Sequence, residues 1–359
     1  MLDQHPHAAA VLGAALDGRP AHAYLLHGPA GTGKRTAARD FAAALLARGA
    51  GDPESARTRV RHGAHPDLTW VAPSGAHEML RRDVQETVVS AAAHTPFESG
   101  HRVFVLERAD TMNDEAANAL LKTLEEPPPY VVLLLLTDNP SQVLPTISSR
   151  CQPVRFDPLP ASQLAERLQA RGIDPETAVA CARLSLGDGE RAMTLALTPE
   201  LRAAAESFAR APLHGRAHAE RAWLPLLQQA RAAGGAARRE VEAALAEELE
   251  FLPKKEHRRR ETEFTERARR ADRRAMTGTL DHALQLIGLW YRDLACVAGQ
   301  AEDLVHHTDR LEALRTDAAL RDGAAWRAAV ELVDDTRARL ALNVSEELAL
   351  EALAYRLES

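Results

Sequence analysis

Two uninterrupted apolar runs, residues 103–106 and 131–136, carry no alternation with polar positions. A strand covered on both faces reads this way, which predicts two neighbours inside a parallel sheet. Between them Ala117, Leu120, Leu121 and Leu124 repeat at helical spacing, Thr111 and Asn113 offer N-cap oxygens, and Asp114 and Glu115 suit the first turn. Pro127, Pro128 and Pro129 stop that helix, so the unit is strand, helix, strand.

The same reading runs along the rest of the chain. It predicts a helix over 8–16, a strand over 24–27, a tight loop over 28–34, a helix from 35 to about 47, and a polar loop over 49–66. A strand over 68–71, a helix over 83–93 and an extended piece over 154–156 follow, with Pro158 and Pro160 marking a linker. Strands alternating with helices imply an α/β, doubly wound parallel sheet for residues 1–158. Short helices are predicted over 163–170, 175–184 and 189–197, giving a small helical domain at 159–198. Residues 199–359 are helical in pattern throughout, with stripes at Leu280, Leu284, Ile287, Tyr291, Leu294 and Ala298 and at Trp326, Val330 and Val333.

Composition narrows the function classes. Hydrophobic residues make up 45% and charged residues 26% of the 359, an ordinary balance for a water-soluble globular chain. The formal charge of −7 argues against tight autonomous binding to nucleic acid. The one concentrated basic stretch, 254–274, is interleaved with Glu256, Glu261, Glu263 and Glu266, and only Phe264 could stack on a base; a solvated helix face is the simpler reading. No run of about 18 uncharged apolar residues occurs and the N-terminus lacks a signal pattern, so the expected location is cytoplasmic, with no membrane partner. Cys151, Cys181 and Cys296 stand far apart, and His62 and His65 have no third ligand nearby, so no metal site is expected, zinc included.

The loop at 28–34 carries the first chemistry. Gly28, four residues, then Gly33 and Lys34, with Gly31 between, form a glycine-rich turn feeding a helix N-terminus, the arrangement that aims backbone N–H groups at phosphate. The pattern wants Ser or Thr after the lysine to hold magnesium; here Arg35 follows and Thr36 comes one residue late. The strand over 103–106 should end in an acidic pair that holds metal and polarises water, yet the residues are Glu107 and Arg108. An arginine stays protonated and cannot act as a base. The site is built like an ATPase and lacks parts of its chemistry.

The run NDEAANALLKTLEEPPPYVVLLLLTDNPSQVLPTISSRCQPVRF from Asn113, with HPDL at 65–68 and the glycine loop, resembles the clamp-loader branch of the AAA+ ATPases, and within it the delta-prime subunits of bacterial DNA polymerase III. The likeness is strong over 20–160 and looser beyond. It implies a P-loop AAA+ domain at 1–158, a lid domain at 159–198 and an all-α collar at 199–359. It also implies an arginine finger at Arg150, in the Ser149-Arg150-Cys151 run, acting in trans on a neighbour's γ-phosphate; a local salt bridge with Asp157 is the competing role. Thr137 falls at the γ-phosphate sensor position. Arg191 or Glu190 falls near a second sensor and is given no chemistry. The implied partners are gamma/tau ATPase subunits, a delta subunit, the sliding clamp and, through the complex, primer-template DNA. No cofactor is required, and ATP or ADP bound without hydrolysis is compatible. Relatives often carry a four-cysteine zinc module before HPDL, a segment that holds no cysteine here. The alternatives are an active gamma/tau-like ATPase, and a DNA-binding module resting on 254–274.

Overall fold

The computed structural model describes residues 5–73, 78–251, 254–340 and 344–359. The chain divides into two compact units, residues 1–160 with 187–190, and residues 161–186 with 191–359.

The first unit is built on a five-stranded sheet of β1 (Ala23–His27), β2 (Leu68–Val71), β3 (Arg102–Leu106), β4 (Val131–Thr137) and β5 (Gln152–Arg155). The strands lie in the order β2-β3-β4-β1-β5 and every pairing is parallel. The long apolar runs have a direct cause in this topology. Tyr24, Leu26, Val103, Val105, Val132, Leu134 and Leu136 face one layer with Leu12, Phe41 and Leu45. Their alternates Leu25, Phe104, Leu106, Leu133 and Leu135 face the other, with Val88, Leu120, Leu124 and Ile147. Both faces are covered, so neither can be polar. Helix Asp114–Glu125 supplies part of the second layer and begins at Asn113, whose side chain accepts the Ala116 N–H at 2.9 Å.

Two segments differ from the sequence reading. The expected loop over 49–66 contains a helix, Pro53–Arg61. Asp52 caps it, Pro53 pre-sets its first turn, and Ala56 and Val60, one helical turn apart, are buried. The expected helix over 83–93 runs from 81 to 92 but passes through a π-helical turn at Gln85–Val89.

In the second unit, helices Ala161–Gln169, Pro175–Leu184, Gly189–Leu197 and Pro199–Arg210 precede two long ones, Leu224–Phe251 and Lys254–Ala298. Trp290, Tyr291 and Trp326 are its largest fully buried side chains among the described residues, and the Tyr291 hydroxyl donates to the Ala209 carbonyl at 2.7 Å. The stripe from Leu280 to Leu294 is buried as patterned, while Ala298 is exposed at the helix end and Val330 half-buried. Arg191 pairs with Asp281 at 2.6 Å, and Arg337 reaches the same carboxylate at 2.9 Å. Phe264 is buried with Arg267 over its ring, so it is used in packing; in the basic stretch the side chains at 254–257, 259, 260 and 263, Glu256 and Glu263 among them, lie outside the described residues. No described helix is long and apolar enough to cross a membrane.

Candidate functional site

Parallel pairing brings the carboxyl ends of the strands to one edge, where α/β sheets place ligands. His27 is level with Thr137, and Leu106 with both Val71 and Leu135, so the residues following β1, β3 and β4 meet there. Gly28, Gly31 and Gly33 all have positive φ and wrap the loop from β1 into helix Lys34–Leu46. At Gly28 the need is steric as well: a Cβ would stand 2.0 Å from the Phe156 carbonyl oxygen. Gly31 faces the segment at 187–190, whose Asp188 carboxylate lies so close that a Cβ would meet its Oδ1 at 1.7 Å. Gly189 N–H donates to the Gly31 carbonyl at 3.2 Å.

Lys34 is turned onto its own loop. Its Nζ donates to the Gly28 and Pro29 carbonyls, each at 2.6 Å, and pairs with Asp138 Oδ1 at 2.7 Å; the side chain is 6% exposed. Thr32 fastens the turn by donating its hydroxyl to the Pro29 carbonyl at 2.8 Å. Beyond the lysine, Arg35 Nε pairs with Glu107 Oε1 at 2.9 Å, and the same oxygen accepts the indole N–H of Trp70. Thr36, the next residue round the helix, is exposed. Arg108 is exposed too and takes a left-handed backbone conformation, φ 53°. Thr137, 1% exposed, donates its hydroxyl to Asp110 at 2.7 Å and accepts the Asn139 N–H at 3.0 Å.

Arg150 belongs to a separate cluster at the end of the short helix Pro145–Ser148. Its guanidinium donates to Glu125 Oε1 at 2.7 Å and to the Thr146 carbonyl at 3.0 Å, and 37% of the side chain stays exposed. Asp157, the partner considered from sequence, pairs instead with Arg155 at 3.2 Å. Cys151 is buried in the second core layer, and burial pushes its thiol up to about 12, so it packs and does not react. His65 is equally internal: its Nδ1 accepts the Asp67 N–H and its Nε2 lies 3.1 Å from Glu98. Among the described residues no three His, Cys, Asp or Glu side chains gather as a metal site.

The edge thus brings together Gly28, Gly31, Gly33, Lys34, Glu107 and Thr137 and leaves Thr36 and Arg108 outward. Sequence reasoning missed the carboxylates that hold these groups: Asp138 on Lys34, Asp110 on Thr137, Asp188 on Gly31 and Glu125 on Arg150. Asp138 had a local signal, since it directly follows the sensor-position threonine; the others depend on the fold. Magnesium in a P-loop ATPase uses the hydroxyl after the lysine and the acidic residue after β3. Here the first is absent and the second is committed to Arg35, so the residues do not fit the ion.

Residues 5–160 match a family model described as "DNA polymerase III, delta subunit". The DNA polymerase III subunit delta-prime of Pseudomonas aeruginosa is 41% identical over 179 residues, covering 48% of this chain and 54% of that protein. Residues 5–160 therefore resemble the delta-prime subunits of bacterial DNA polymerase III. The Bacillus subtilis delta-prime subunit is 37% identical over 164 residues, 45% of this chain and 49% of its own length, so the chain spans about half the length of these curated relatives. A gamma/tau subunit of the same polymerase, from Mycobacterium tuberculosis, is 33% identical over 215 residues, 55% of this chain and 36% of that protein. Delta-prime and gamma/tau subunits are therefore both similar to this chain, and the residues around the P-loop are where the two readings differ.

Proposed function

We propose that this chain is a non-hydrolysing delta-prime subunit of the DNA polymerase III clamp loader that supplies Arg150 in trans to a neighbouring ATPase. The observation that carries the reading is a contrast within one unit: Lys34 and Glu107 are bonded internally, while Arg150 remains part-exposed on an exposed carboxylate. A planar, permanently charged guanidinium placed at a transferring γ-phosphoryl group stabilises the charge that develops there, an effect of about 10³–10⁵ in rate in other arginine-finger systems. Arg150 is the candidate for that group.

In this reading Thr137 keeps the place of a phosphate sensor without its task, because its hydroxyl is given to Asp110. Residues 159–198 serve as the lid and 199–359 as the collar that joins the ring. The partners are gamma/tau ATPase subunits, a delta subunit and the sliding clamp, with primed DNA reached through the complex. The loader acts in DNA replication, in the cytoplasm, and the chain needs neither zinc nor a nucleotide of its own to complete it.

The active gamma/tau-like alternative has the glycines and the lysine in its favour. Against it stand Arg35 and Arg108, each removing one part of metal-assisted hydrolysis. The test is steady-state turnover by the purified chain. No ATP hydrolysis above that of a Lys34→Ala variant is the expected result; turnover abolished by Lys34→Ala would replace this reading with the motor.

A further inference from the structure

Two departures from the metal-binding pattern of the loop meet in a single contact. Arg35 stands where a hydroxyl would follow the lysine, Glu107 stands where the acidic residue would end its strand, and the two are joined, Nε to Oε1, at 2.9 Å. The indole N–H of Trp70 is fixed on the same carboxylate oxygen, and Glu107 is only 6% exposed. Arg39, one helical turn beyond Arg35, lies over the Trp70 ring at 5.1 Å, so the helix and β2 hold this corner from both sides. The contact is a built feature of the loop.

Its chemistry opposes a divalent cation. Magnesium demands near-octahedral oxygen ligands and takes one or two from the protein beside those of the phosphates. A guanidinium has five donors, no lone pair and a charge it does not lose, so it offers the ion nothing and repels it. It does offer a fixed positive charge next to the loop, which is what the ion supplies to phosphates elsewhere.

We infer that Arg35 takes the place of the divalent cation in this P-loop, so that the loop excludes magnesium and any nucleoside polyphosphate entering it does so as the metal-free anion. The inference rests on the Arg35–Glu107 contact and is independent of the role of Arg150. It concerns a property of the isolated chain.

The experiment is a titration of the purified full chain with a fluorescent ADP analogue, in magnesium and in EDTA, for wild type, Arg35→Thr and Arg35→Thr/Glu107→Gln. For wild type magnesium does not strengthen binding, and weakens it by the fraction of the analogue that the ion chelates in solution. Arg35→Thr returns the hydroxyl and frees the carboxylate, and its affinity becomes at least about tenfold higher in magnesium than in EDTA. The double variant loses that response. Wild-type binding strengthened by magnesium to that extent, or an Arg35→Thr chain that ignores magnesium, overturns the inference. A second measurement needs no variant: wild-type protein does not lower the electron paramagnetic resonance signal of Mn²⁺ mixed with ADP, and raises it as ADP is taken up and the ion released; a protein-dependent loss of signal overturns the inference equally.

Discussion

Lys34 and Arg150 are two cations of one unit, each held by a carboxylate, and exposure separates them. The Lys34 side chain is 6% exposed and surrounded by loop carbonyls, whereas Arg150 keeps 37% of its side chain in solvent and its partner Glu125 is 51% exposed. Ion pairs as open as that contribute about 0–1 kcal/mol, so Glu125 orients the guanidinium without binding it tightly. Glu125→Gln is therefore expected to move the thermal midpoint of the chain by less than about 3 °C, read by calorimetry. Gly28 is the opposite case. A methyl group there meets the Phe156 carbonyl at 2.0 Å on a backbone already at φ 146°, and Gly28→Ala should lower stability by about 2–4 kcal/mol, read as a shift of the urea midpoint.

Among the elements, those that bury two faces were the most legible. The runs over 103–106 and 131–136 could be read as strands because no polar residue interrupts them, and Asn113 could be read as a cap from the acidic turn that follows it. Helix Pro53–Arg61 was hidden because only Ala56 and Val60 of its residues are buried, too few to set a period. The π turn at Gln85–Val89 has no compositional mark. The glycine loop was found by residue spacing and Arg150 through the resemblance of its Ser-Arg-Cys run, but their partners Asp188 and Glu125 lie on other elements and meet them only once the sheet is assembled. In the second unit, helix Lys254–Ala298 carries a buried imidazole whose surroundings were equally invisible in sequence. Burial, and after it the Arg191 guanidinium, lowers His282 to about 4, against the opposing charge of Asp281. A base with a depressed folded value costs nothing above its unfolded value of about 6.5 and favours the unfolded chain as pH falls from there toward 4. The penalty at the acid end is roughly 3 kcal/mol. Wild type is expected to lose more stability than His282→Leu between pH 7 and pH 4.5, measured by urea unfolding with tryptophan fluorescence. An equal loss in both chains would remove His282 as the cause.

At the scale of the whole molecule, the net charge of −7 and the buried Phe264 leave this chain poorly equipped to hold DNA alone, and the proposal accordingly assigns DNA contact to the assembled loader. In the function proposed above, the chain contributes one arginine and a ring position. The most direct test is ATP turnover, stimulated by clamp and primed DNA, in loaders reconstituted from gamma/tau and delta subunits with either wild-type chain or Arg150→Ala, once both are seen to assemble to the same mass. Turnover at least about tenfold lower with Arg150→Ala, with assembly intact, is the predicted result. Equal turnover in the two assembled complexes would contradict it and reduce the chain to a scaffold that closes the ring.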